Sequence, residues 1–266
     1  MRAKKVEFHR IFCKLEERES PAGNVFPSFY EVADGNFSIL KGICVEYLYI
    51  LPILFFSVVV HEVAHGLMAL RLGDPTARDM GRLTFNPIPH IDFFGSIVLP
   101  LMAFFTKIPI MVAWAKPVPI NPANFKNYRR DDILVSLMGP LSNFGVALLC
   151  VFGYVFTMSI GGPLNAAGSD FKSALFIFIT KMFAAGISLN IFLAVFNLIP
   201  VPPLDGSHVL CSLLPEKIGE KYRRLGFAGI LIVLVLLNVQ AFRNFMMSIV
   251  YVLQLPYEYL LHCFGF

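Results

Sequence analysis

Charged residues are scarce in this chain. Lys, Arg, Asp and Glu make up 15% of its 266 residues, against 56% hydrophobic. A soluble domain carries more charge and less apolar surface than this, so a water-soluble globular architecture is excluded. The net charge of +4 is too small to call for nucleic acid, and none is expected as a partner. Cysteine offers no framework either. Cys13, Cys44, Cys150, Cys211 and Cys263 are scattered and form no C-x-x-C pair, which excludes a disulfide scaffold and a cysteine zinc cluster. Trp114 is the sole tryptophan; it and Tyr128 are candidates for a membrane–water interface. The chain has no internal repeat and no low-complexity tract.

What the chain has in quantity is long apolar runs. Residues 43–72 are thirty mostly apolar residues ending near Arg71; as one helix they span about 45 Å, enough to cross a bilayer core with tilt. Residues 133–160, 171–199 and 225–240 read as three further spans, and 241–266 as a fifth span or an interfacial helix. Residues 93–114 are apolar but broken by Pro100, Lys107 and Pro109, which fits a re-entrant hairpin, a broken span or two short helices. The fold class is therefore an all-α polytopic membrane protein with about four to six transmembrane helices. Short extended pieces are expected as well. Residues 81–85 read as a strand, and 116–122, with prolines at 117, 119 and 122, as an extended segment. Residues 1–41 form a separate polar segment, with a short amphipathic helix at 6–17 and a loop at 20–35; residues 42–266 form the membrane-embedded domain. Arg2, Lys4 and Lys5 are followed by no apolar core, so no cleaved signal is expected.

Lys and Arg cluster at 71–82, 116–130 and 217–224, the last within a stretch at 215–224 that reads as a basic loop, whereas the short loop expected at 161–170 holds none. The positive-inside rule places the three clusters in the cytoplasm, so the first span runs outside to inside. That topology leaves residues 1–41, with seven Lys and Arg, on the outer side, against the same rule.

Inside the first span lies His61-Glu62-Val63-Ala64-His65. Two histidines four residues apart share one helix face, a spacing that lets both imidazoles bind one zinc ion with Glu62 placed as general base, against the alternative of a chance match to two hydrogen-bonded core histidines. Ionisable groups are costly in lipid and mark a functional site there. His65 and His61 precede Arg71 by six and ten residues, which puts the site roughly 9–15 Å below that surface. A third ligand is offered by the segment from Asn197 to Gly206, where Pro200, Pro202 and Pro203 break the helix and Asp205 follows. Broken backbone at membrane depth implies protein or a cavity against it. Asp205 completes a two-histidine, one-carboxylate set; as an isolated feature, Asp205-Gly206 also reads as a turn. His90 and His208 are further candidates, read as second contacts or interface residues. Asn143 and Asn190 fit substrate hydrogen bonds or helix bridging equally.

These motifs in this order resemble the site-2 protease family of intramembrane zinc metalloproteases: His61-Glu62-Val63-Ala64-His65, then Gly139-Pro140-Leu141-Ser142-Asn143, then Asn197-Leu198-Ile199-Pro200 through Leu204-Asp205-Gly206. The similarity covers about residues 47–214 and suits a compact bacterial-type member without room for a PDZ insertion. It implies a three-helix core carrying His61, Asn143 and Asp205. It further implies Zn2+ held by His61, His65 and Asp205, Glu62 as catalytic base, and Asn197 near the substrate; Asn143 is a second candidate for substrate binding from the reading of the residues. The substrate would be a transmembrane helix of another protein, cut within the bilayer of the bacterial cytoplasmic membrane with the site toward the cytoplasm. The competing reading is a non-catalytic metal-binding scaffold or a transporter. A transporter would spread polar residues over several spans and show repeats; a scaffold would have lost a ligand or the base.

Overall fold

The computed structural model describes residues 48–90, 92, 116–165, 171–226 and 228–265. The expectations for residues 1–41 and 93–114 lie outside them, as does Trp114.

Three long helices build the core, as expected: α1 (Ile50–Arg71), then, after the single turn α2 (Thr76–Asp79), α3 (Tyr128–Asn165) and α4 (Phe171–Asn197). Each is long and apolar enough to cross a membrane. They pack on one another through small side chains. Ala147, Ala184, Ala185, Gly186 and Ala194 let the backbones approach, and Ile187, Ile191 and Val151 fill the seam. The outward faces keep large apolar groups exposed, Leu149, Phe152, Phe156 and Leu175 among them, a pattern suited to lipid and not to water.

The rest of the chain departs from the sequence reading in places. Residues 225–240 do not make a span. They yield α7 (Ala228–Asn238), 11 residues long, which reaches only about 16 Å. It meets α8 (Gln240–Cys263) at an 89° bend, so the two together supply at most one crossing. The described residues thus hold three spans, or four with the bent pair, and the count of four is the lower end of the expected range. The basic stretch read as a loop at 215–224 is a helix, α6 (Glu216–Arg223). Pro215 presets its start, Glu216 sits in its first turn, and Lys221 and Arg223 sit in its last, all favourable to the helix dipole. The segment read as a loop at 161–170 is helical to Asn165. No strand forms among the described residues, so residues 81–85 are not one. Their neighbour at 116–121 is neither helix nor strand and reaches Asn121 in extended geometry, but Pro122 opens a 3-10 turn (Pro122–Asn124), and Pro117, Pro119 and Pro122 lack the N–H groups that a ladder needs.

That extended segment is clasped to the end of α1. Gly73, at φ +108°, ends the helix; its N–H bonds Leu70 O, and the Asp74 N–H bonds Ala69 O, the Schellman arrangement. This turns the fully buried Asp74 toward residues 121–124. Its carboxylate accepts from Thr76 N and Oγ1, Asn121 N and Asn124 Nδ2 at 2.5–3.1 Å. Burial pushes the Asp74 pKa up, but the Thr76, Asn124 and Asn121 donors outweigh it and hold the group below its ordinary value of 3.8. A depressed folded pKa means that the stabilisation is fully present above the ordinary value and is lost as pH falls through the folded one. Asp74→Asn turns an amide toward these donors and is expected to cost about 1.5–3 kcal/mol at neutral pH. Thermal melting in detergent should show the gap between the two proteins closing below pH 4; a gap equal at pH 3 and pH 7 would exclude the charge as its source.

Candidate metal centre

α1 brings His61 and His65 to one face, both only 7% exposed. α4 stops at Asn197, and the prolines after it turn the chain. The turn satisfies its own backbone through Ile199 N to Phe196 O, Val201 N to Ile199 O and Leu204 N to Val201 O. Asp205 then opens α5 (Asp205–Leu213), so Asp205-Gly206 is a helix start and not a turn. Gly206 is required there because a Cβ would stand 2.5 Å from Leu198 C.

The three side chains converge. Asp205 Oδ2 lies 3.1 Å from His61 Nε2, Asp205 Oδ1 lies 3.3 Å from His65 Nε2, and the two Nε2 atoms are 3.1 Å apart. Among the described residues this is the one group of His, Cys, Asp and Glu with metal-binding spacing. The donor set fits zinc on two grounds. Ligands about 2.0–2.1 Å from a tetrahedral ion stand about 3.3 Å apart, close to the separations here. The far ring nitrogens are also engaged. His65 Nδ1 donates to Val135 O at 2.8 Å, which leaves the Nε2 lone pair facing Asp205. His61 Nδ1 is 3.2 Å from the Asn143 amide. Asn143 Oδ1 is buried and has no partner among the described residues; turning the amide end for end gives that oxygen an Nδ1–H and frees His61 Nε2 as well.

Room for the imidazoles comes from α3. A Cβ on Gly139 would stand 2.6 Å from His61 Nε2 and closer still to His65 Nε2. The sequence reading named Gly139 only as the first residue of the Gly139–Asn143 motif, with no contact to the histidines assigned to it.

Glu62 accepts from Val118 N at 2.8 Å through Oε2. The extended segment therefore touches the site, which no local signal in the sequence indicated. Asn197 donates to Leu193 O within its own helix, and the buried Asn190 does the same to Gly186 O. His90 is buried beside Thr84 O at 3.0 Å, and His208 faces Asp132 at 3.4 Å; neither joins the metal-binding group. The hydrogen bond to Asp132 raises the His208 pKa, with burial opposing it. Asp132 also accepts from Ser212 Oγ at 2.8 Å, so this carboxylate fastens α5 to α3.

A profile of peptidase family M50 matches residues 49–238. A Bacillus subtilis protein named "Putative zinc metalloprotease YwhC" is 36% identical over 188 residues, which are 71% of this chain and 79% of that protein. A Mycolicibacterium smegmatis protein named "Putative zinc metalloprotease Rip2" is 28% identical over 205 residues, which are 73% of this chain and 68% of that one. No solved structure matches significantly.

Proposed function

The chain belongs to peptidase family M50, the site-2 protease family of zinc metalloproteases, and on that premise we propose that it cuts transmembrane segments of other membrane proteins at a zinc site formed by His61, His65 and Asp205. The observation that carries this reading is the convergence of three donor atoms within 4.8 Å of one another, beside a carboxylate that belongs to none of them. Zinc, when bound, supplies Lewis acidity that makes water a nucleophile near neutral pH. The chain's own residues do the rest. Glu62 takes the proton from the attacking water and returns it to the leaving amine. Val135 O and Asn143 fix the two rings so that each Nε2 faces inward. Asn197, half-buried at the end of α4, keeps its side-chain oxygen for the substrate backbone.

A helical substrate hides its carbonyls in its own hydrogen bonds, so it must unwind before attack. Residues 116–118 are a poor partner for the unwound strand, because Lys116 O, Pro117 O and Val118 N already bond within the protein. Residues 83–85, where among the described residues Thr84 O, bonded to His90, is the only backbone group engaged, offer the freer edge for β-pairing. The site lies toward the cytoplasmic face of the cell membrane, by the clustering of Lys and Arg near the ends of α1, α3 and α6.

The test is cleavage of a membrane-embedded reporter helix by the purified chain in detergent. Product masses should place the cut inside the apolar segment. Chelation should abolish cleavage, and one zinc per chain should restore it. Cleavage that persists in zinc-free protein would overturn the metal assignment; cuts confined to soluble flanks would overturn the substrate class.

A further inference from the structure

Arg82 is a buried cation, 8% exposed, and among the described residues it forms no ion pair. Isolated buried charge is costly unless its hydrogen bonds repay it. Its Nη2 donates to Lys116 O at 2.9 Å and to Pro117 O at 3.2 Å. The second carbonyl belongs to the peptide that joins Pro117 to Val118. The other end of that same peptide is the N–H that donates to Glu62 Oε2. A guanidinium thus faces the carbonyl end of one peptide and a carboxylate faces its amide end. Both charges stand at the favourable poles of the peptide dipole, and hydrogen bonds in such a chain strengthen one another.

We propose that Arg82 is a positioning residue for Glu62, acting through the peptide group between Pro117 and Val118. This rests on the reading of Glu62 as the base. The hydrogen bonds of Arg82 go to Lys116 O and Pro117 O and to neither Glu62 nor the metal ligands. It fixes where the amide stands, and the amide fixes one carboxylate oxygen, which leaves the other for water. Asp74 holds the far side of the segment at Asn121, so the peptide is pinned from both sides. The prolines at 117 and 119 remove the flanking donors, so Val118 carries the one amide between Lys116 and Ile120.

The experiment compares zinc-loaded full-length variants on the membrane-embedded reporter, with bound zinc, melting temperature, kcat and KM measured for each. Arg82→Met is expected to lower kcat by about tenfold to a hundredfold, the scale of a misplaced catalytic group, with KM and bound zinc unchanged. Val118→Pro deletes the amide proton and should give a similar loss. The double variant should be no worse than Val118→Pro, because both act on one path. Arg82→Lys should recover part of kcat, and Val118→Ala, which keeps the N–H, should lose less than Val118→Pro. Multiplying losses in the double variant would overturn the proposal. So would an Arg82→Met protein that melts lower and binds less zinc but keeps its kcat per zinc-loaded chain. If Arg82→Met does not fold, Arg82→Lys and Val118→Pro decide, and full kcat in Val118→Pro sinks the idea. Cleavage by Glu62→Gln would instead sink the reading of Glu62 as base, whatever the Arg82 variants do.

Discussion

Alanine at position 139 is expected to empty the metal site. Its added methyl would lie 2.6 Å from His61 Nε2 and nearer still to His65 Nε2, well inside contact distance. The rings have little freedom to retreat. His65 is bonded to Val135 O on α3, the helix that carries Gly139, and His61 is backed by Asn143 on the same helix. Either the imidazoles rotate off their shared focus with Asp205, or α3 moves away from α1. Overpacking of this kind costs about 1–3 kcal/mol, so the protein should still fold while its ligands no longer converge. Metal analysis of purified Gly139→Ala should find little zinc, and the reporter should stay intact. A variant with full zinc and full cleavage would show that the site tolerates the methyl and that the helices are not in this register.

The second large effect is expected of Glu62→Gln, and it separates chemistry from architecture. Glutamine keeps the length of the side chain, and its amide oxygen can still accept the Val118 N–H. The extended segment should therefore stay in place, and the His61, His65 and Asp205 donors are untouched. What is lost is the ability to take a proton. General-base catalysis contributes about a hundredfold to ten-thousandfold, so cleavage should fall by at least that range while zinc and melting temperature hold. Zinc lost together with activity would assign Glu62 to the metal site itself. Activity retained would remove Glu62 from the chemistry.

Legibility in the sequence followed the range of the interactions. The His61–His65 pair lies four residues apart on one helix, and the prolines after Asn197 end the next one locally, so both could be read directly. The meeting of Asp205 with those histidines was read from motif order and topology, and the distances agree. The contacts of Gly139, Arg82 and Asp74 were not legible. Glu62 meets Val118 across 56 residues, and Asp74 meets Asn121 across 47; no periodicity or capping rule encodes such pairs. The helix at α6 was misread because its charge suggested a loop, although Pro215 and the order of acid before base are helix signals. The span expected at 225–240 was misread because hydropathy measures apolar length and is blind to the bend after Asn238.

The alternating prolines beside Glu62 also make a spectroscopic label. Between Lys116 and Ile120 the backbone carries a single amide proton, that of Val118, and its partner is the carboxylate beside the metal-binding group. In protein labelled with 15N-valine, once the Val118 resonance is assigned among those of the other valines, its chemical shift and solvent exchange would report whether Glu62 is engaged by the backbone, by substrate or by an inhibitor. The signal belongs to the native main chain, so it can be followed without a probe in the membrane and without altering a residue of the site.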